Sequence, residues 1–207
     1  RKMTDGLADE AKAICDDILA KFPQNNRAKE LRKAAMAEIL TPIIINSDPT
    51  LNEVRSLLAN YNQGEFSKAL IAVATLLAKF PQSSALYNIN GAINARLNNF
   101  DLAIENYRKA IKFKPDCAEA YNNLGDALHK EKDFVSAMKS YELALTFKSD
   151  FAAAHYNLGN LHRDNNARDQ AIERYNKAIL LNDKYFEAYN NLGLILIVEK
   201  DFEQAKV

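Results

Sequence analysis

Four glycines, Gly91, Gly125, Gly159 and Gly193, stand 34 residues apart, each closing a near copy of one short phrase. The copies read Tyr87-Asn-Ile-Asn-Gly91, Tyr121-Asn-Asn-Leu-Gly125, His155-Tyr-Asn-Leu-Gly159 and Tyr189-Asn-Asn-Leu-Gly193. A fixed period of this length leaves few folds open, because it describes one supersecondary unit that buries its apolar face only against its neighbours. The expectation is an all-α stack of antiparallel helical hairpins. Gly64 lies outside this register and is expected to be the turn of a weaker first unit.

The rest of each phrase keeps step. Units of 34 residues run 50–83, 84–117, 118–151 and 152–185, and an incomplete one covers 186–207. Asn98-Asn99, Lys132-Asp133 and Asn165-Asn166 fall mid-unit, where a hairpin turn is expected, and Pro81 and Pro115 fall near unit ends, where proline stops a helix. Phe100, Ala103, Tyr107 and Ala110, and again Phe134, Ala137, Tyr141 and Ala144, share one helical face. The small residues, the glycine of each first helix and Ala69, Ala103, Ala137, Ala171 and Ala205 after the turns, allow close helix approach. The aromatics then fill what they leave open.

Tyr121, Leu124, Gly125, Leu128, Phe134, Ala137, Tyr141 and Ala144, with their partial copies, form a pattern that resembles the tetratricopeptide repeat family. The resemblance implies a right-handed superhelix, an α-solenoid, whose first helices line a concave groove. It covers residues 50–207, and departures are visible. Leu57 stands where the other units have glycine, which predicts a wider or shifted first hairpin. Arg168 replaces the aromatic seen as Phe66, Phe100, Phe134 and Phe202, and Ser149 and Asp183 replace the unit-end prolines, compatible with a continuing helix or a polar cap.

The first 49 residues read differently. Gly6, Ala11, Ile14, Ile18 and Pro23 match the second half of a unit, Asn26 to Leu40 reads as one extra helix, and Thr41 to Pro49 breaks the pattern with two prolines. Residues 1–49 are therefore expected to be a partial repeat, a helix and a linker.

Composition narrows the function. The chain has 48% hydrophobic residues, and its 27 basic and 27 acidic residues cancel. With no long basic run, nucleic acid is not the expected partner. No apolar stretch reaches the length of a membrane span. Cys15 and Cys117 show no metal or redox spacing and suit a reduced, cytoplasmic protein. His155 and His162 share a helix face, but they occupy the packing positions of Tyr121 and Leu128, and the i, i+4 ligand pairing is missing, so no metal site is expected. No phosphate loop or nucleophile constellation can be assembled, and neither catalysis nor a cofactor is expected.

What remains is the face of the first helices. By helical spacing and by the resemblance, the fifth, sixth, ninth, twelfth and thirteenth residues of each unit face the groove. They are rich in amides: Asn88, Asn122, Asn123, Asn157, Asn160, Asn190 and Asn191, with Asp126, His129, Lys130, Arg163 and Asp164 adding mixed charge. An amide both donates and accepts, so it can pair with a peptide group whatever side chain that group carries. Asn123, Asn157 and Asn191 hold one equivalent position and resemble the asparagine ladder in the repeat arm of O-linked N-acetylglucosamine transferase; they are expected to be exposed. The alternative is a repeat consensus tolerated on a solvated face. Leu194, Ile197 and Val198 make the carboxyl-terminal end apolar, within a fifth hairpin expected to break off in its second helix, and are candidates for self-association. Two functions stay open: a scaffold that binds an extended peptide or partner helix, or the substrate-recruiting arm of a larger glycosyltransferase or sulfotransferase.

Overall fold

The computed structural model describes residues 49–205 and scattered positions between 13 and 32, with side chains of the array described as far as Ile197. The chain divides into two compact units, Arg1–Asn46 and Ser47–Val207. In the first, the described positions 13–20 and 28–32 are helical, and the Asp16 carboxylate pairs with the Arg32 guanidinium at 2.5 Å. Gly6, Ala11, Ile18 and Pro23 of the expected partial repeat, most of the extra helix and the linker as far as Asp48 lie outside the described residues.

The second unit is an all-α solenoid of antiparallel helix pairs. Its helices are α1 (Leu51–Asn62), α2 (Phe66–Lys79), α3 (Ser84–Arg96), α4 (Phe100–Phe113), α5 (Ala118–Lys130), α6 (Phe134–Phe147), α7 (Ala152–Asp164), α8 (Arg168–Leu181) and α9 (Phe186–Ala205). Odd and even helices pair as hairpins, with the turns where the sequence places them. Each turn closes the same way. In the α3–α4 turn the Asn99 N–H donates to the Asn94 carbonyl at 2.9 Å and the Asn98 N–H to Ala95 at 3.0 Å, a closure that needs a left-handed residue between the helices. Gly64, Asn98, Lys132 and Asn166 fill that place with φ of 76°, 60°, 63° and 58°. Gly64 is thus one of a second 34-residue series, that of the turns, and Lys132 holds its place without the conformational freedom of glycine or asparagine.

The packing glycines explain how close the hairpins are. A methyl group built on Gly91, Gly125 or Gly159 would lie 2.5, 2.6 or 2.7 Å from a ring carbon of Tyr107, Tyr141 or Tyr175. The tyrosine ring of each second helix therefore rests on the bare backbone of its first helix. All three tyrosines are buried. In the first hairpin Leu57 takes the glycine position, and the tyrosine position is held by Val73; both side chains are buried in one cluster with Leu86 and Ile93. The bulk that Leu57 adds is thus offset by the bulk that Val73 gives up.

Two expectations need correction. Helices α6 and α8 end at Phe147 and Leu181 although no proline follows, so the chain does not continue as helix through Ser149 or Asp183. Lys148 and Asn182, the residues after these helices, leave helical geometry for extended backbone, with φ of −145° and −147°. Second, α9 is one continuous helix of 20 residues and runs through Lys200, where earlier units turn. Among the described residues no helix is long and apolar enough to cross a membrane.

Candidate functional site

The first helices are consecutive neighbours, and amides join them. Asn123 Nδ2 donates to Asn88 Oδ1 at 3.0 Å, linking α5 to α3, and Asn157 Nδ2 donates to Asn122 Oδ1 at 3.1 Å, linking α7 to α5. Asn191 Nδ2 reaches Asn160 Oδ1 at 2.8 Å and the Tyr156 hydroxyl at 3.3 Å, linking α9 to α7. The sixth residue of the units that begin at 118, 152 and 186 thus donates toward the unit before it. Asn122 is buried, and Asn123, Asn157 and Asn191 are half-buried rather than exposed as expected, because each is drawn into the seam between units. The 35-residue separation of Asn88 from Asn123, and of Asn122 from Asn157, is the sequence signal for these bonds; looking only for equivalent positions misses it.

Counting donors and acceptors shows what the bonds leave over. Asn160 Oδ1 accepts from Asn191 and, at 2.8 Å, from the Tyr175 hydroxyl, and its Nδ2 has no described partner. Asn157 has the reverse arrangement, with Nδ2 engaged and Oδ1 accepting from no described residue. A neighbouring donor and acceptor of this kind match the N–H and C=O of one residue in an extended chain, which point to the same side.

These two amides line a cleft of about 300 Å³ between α5 and α7, together with Asp126, His129, Lys130, Lys132, Phe134, Arg163 and Asp164. Seven of the expected groove residues, Asp126, His129, Lys130, Asn157, Asn160, Arg163 and Asp164, are thereby brought together. Asn88 lies in the amide seam further along the array, and Asn190 is exposed on α9. The charges in the cleft divide into two sets. Arg163 donates through Nε and Nη2 to Asp164 Oδ1 at 3.0 and 2.9 Å, and His129 Nε2 lies 3.0 Å from Asp164 Oδ2, so one carboxylate ties two units together. His129 is also braced edge-on against Phe134, with ring centroids 5.5 Å apart. Asp126 and Lys130, one turn apart and both exposed, form no hydrogen bond or ion pair with a described residue. Burial, and after it the Asp126 charge, pushes the Tyr107 and Tyr141 phenols above the ordinary tyrosine range. The Tyr141 hydroxyl is buried without a hydrogen-bond partner, whereas its equivalent on Tyr175 is satisfied by Asn160.

The histidines that share a face on α7 serve packing. His155 is buried in the tyrosine position, and its Nε2–H donates to the Ser149 carbonyl at 3.2 Å, where the Tyr87 hydroxyl donates to the Pro81 carbonyl in the earlier unit. Burial lowers its pKa below the ordinary 6.5. Tyr87 and Tyr121 stack on Phe113 and Phe147, with centroids 5.5 and 5.6 Å apart. Among the described residues no three His, Cys, Asp or Glu side chains come together as a metal site. On α9, Leu194 and Ile197 are exposed by 61% and 60%. The Val198 side chain lies outside the described residues.

Comparison with known proteins adds an independent view. The chain is similar to Pseudomonas aeruginosa PilF, with 22% identity and a TM-score of 0.68 over 75% of this chain and 71% of that one. It is similar to MamA, with 24% identity and a TM-score of 0.59 over 72% and 96%. It also resembles the first TPR of Spaghetti (RPAP3) bound to the HSP90 peptide SRMEEVD, with 22% identity and a TM-score of 0.55 over 57% and 94%. At these identities the likeness is one of fold. No protein of curated function matches the sequence. Residues 91–132, 125–166 and 159–197, together just over half of the chain, each match the model of the TPR repeat. With consecutive matches in the register of its glycines and the helix-turn-helix pairs to go with them, the chain belongs to the TPR repeat family of protein-interaction modules.

Proposed function

We propose that this array is a non-catalytic scaffold that holds an extended peptide along its first helices, centred on the cleft between α5 and α7. The observation that carries the reading is the unpartnered donor of Asn160 beside the unpartnered acceptor of Asn157, two cleft-lining amides that have bonded their own neighbours through their other atoms. The C=O and N–H of one extended residue satisfy both, so the main chain supplies affinity and the adjacent side chains supply selectivity. The free Asp126 carboxylate and the free Lys130 ammonium favour a ligand carrying both signs of charge. An acidic tail such as the SRMEEVD peptide on the RPAP3 repeat fits poorly, because Arg163 already serves Asp164 and Asp126 would oppose it.

A random peptide library panned on the array provides the test, each selected peptide being measured by calorimetry against wild type and an Asp126→Ala/Lys130→Ala variant. Both residues are exposed and unbonded, so the variant should keep its circular dichroism and melting midpoint. Affinity is expected to fall roughly tenfold or more, in line with the loss of two charge contacts. Peptides that bind both proteins equally, or a library that yields no binder, would overturn the proposal.

A further inference from the structure

The two amides that clasp a ligand residue also fix which way its chain runs. Asn157 offers an acceptor, Oδ1, and Asn160 a donor, Nδ2, so a clasped residue sets its N–H at Asn157 and its C=O at Asn160. Asn160 is held in this sense, because its Oδ1 accepts from both the Tyr175 hydroxyl and Asn191 at 2.8 Å. In a polypeptide the N–H of a residue precedes its C=O. The ligand therefore runs, from amino to carboxyl end, in the direction that α7 takes from Asn157 to Asn160.

The other wall of the cleft, α5, runs the same way. Asn157 bonds Asn122, and Asp164 lies 3.0 Å from His129; both pairs are 35 residues apart, a constant offset that parallel helices keep. The charges on α5 can thus be set in order along the ligand. Asp126 holds on α5 the place that Asn160 holds on α7, 34 residues on, and so stands level with the C=O end of the clasped residue. Lys130 is one turn further, about 6 Å along the axis, and Lys132 follows in the turn after the helix. All three line the cleft without an ion pair to a described residue, whereas Arg163 and His129 are committed to Asp164. Along the ligand's path the cleft is therefore negative first and positive after. Lys132 keeps its place at a left-handed φ of 63°, where the other turns have Gly64, Asn98 and Asn166, residues that take up this conformation more readily.

In an extended chain, side chains two residues apart stand on the same side at about 6.8 Å, close to the rise from Asp126 to Lys130. We propose that the cleft selects a directional motif in its ligand: Lys or Arg, then any residue, then Asp or Glu, read from the amino end. The basic side chain meets Asp126 and the acidic one meets Lys130 and Lys132. The same residues in reverse order bring acid to Asp126 and base to the two lysines, which costs affinity through like charges. Turning the whole peptide round mends the charges but sets its C=O against the Asn157 acceptor and its N–H against the Asn160 donor. The motif rests on the main-chain clasp proposed above, since the amides supply the direction.

Two displayed peptide libraries of equal composition test the motif, one with a fixed central Lys-X-Glu and the other with Glu-X-Lys, both random elsewhere. The wild-type array should enrich the first library, and its best peptides should bind roughly tenfold or more tighter than the best of the second. Exchanging the cleft charges by Asp126→Lys/Lys130→Glu/Lys132→Glu should reverse that preference. The three residues are exposed, so circular dichroism should confirm an unchanged fold. Equal enrichment of both libraries, a preference for Glu-X-Lys, or a preference that the charge exchange leaves unaltered would defeat the motif and leave the scaffold reading in place. Binders from neither library would defeat the scaffold reading, and the motif with it.

Discussion

The first hairpin and the three that follow solve one packing problem with the bulk on opposite sides. In α3–α4, α5–α6 and α7–α8 a glycine on the first helix receives a tyrosine from the second, whereas in α1–α2 a leucine on the first helix meets a valine from the second. Both arrangements are fully buried. What the junction fixes is therefore the combined volume of two residues 16 positions apart, and a rule stated on either position alone misreads the first unit. This is the behaviour of close-packed interiors, which register volume before identity.

The comparison can be broken most forcefully at Tyr141. Truncation to alanine empties the largest seat in the middle of the array and should cost about 3–5 kcal/mol, measured by urea denaturation. A smaller effect sharpens the rule itself. Gly125→Leu alone should overpack the seat and cost about 1–3 kcal/mol, and adding Tyr141→Val, which transplants the first unit's solution, should recover most of that loss. If the double variant is no better than the sum of the two single changes, volume exchange is not what relates the hairpins.

Equivalent tyrosines should also part company when only the hydroxyl is removed. Tyr175→Phe loses the bond to Asn160 and should destabilise by about 1 kcal/mol, whereas Tyr141→Phe relieves a buried hydroxyl without a partner and should be neutral or stabilising. The melting midpoint is expected to fall for Tyr175→Phe and to hold or rise for Tyr141→Phe. The mildest contrast lies in the third of these hairpins, where His155 replaces tyrosine. Burial lowers its folded-state pKa below 6.5, so the unfolded chain takes up the proton first, and stability falls as pH drops below about 6.5. His155→Tyr restores a donor to the Ser149 carbonyl without a titrating ring. Its denaturation midpoint should fall less than that of wild type between about pH 6.5 and 5.

The fold was legible because periodicity alone positions helices, turns and packing glycines. The turns were placed at Asn98, Lys132 and Asn166 by composition and register, and the tyrosine seats followed from the alternation of small and large residues. What stayed hidden depends on pairs. Leu57 reads as a defect until Val73 is set beside it. Asn123 and Asn157 read as free groove residues until their partners one unit back, at Asn88 and Asn122, are counted. The continuous α9 was equally out of reach, since Lys200 carries the same turn signal as Lys132 and yet lies within the helix. Asp126, Lys130, Asn157, Asn160 and Arg163 line one cleft. Which of them are free for a ligand depends on the Asp164 ion pairs, and no periodicity encodes those.

Every amide bond described between units joins nearest neighbours, and this bears on how the array responds to load. Tension applied along the chain acts on one seam at a time, because no described amide clasp spans two units to share it. Single-molecule extension should therefore peel the array in discrete events, each releasing one hairpin of 34 residues and roughly 110–120 Å of contour length. Seen this way, the seams at Asn123, Asn157 and Asn191 are mechanical latches in series, and the steps in a pulling trace count the latches that give way.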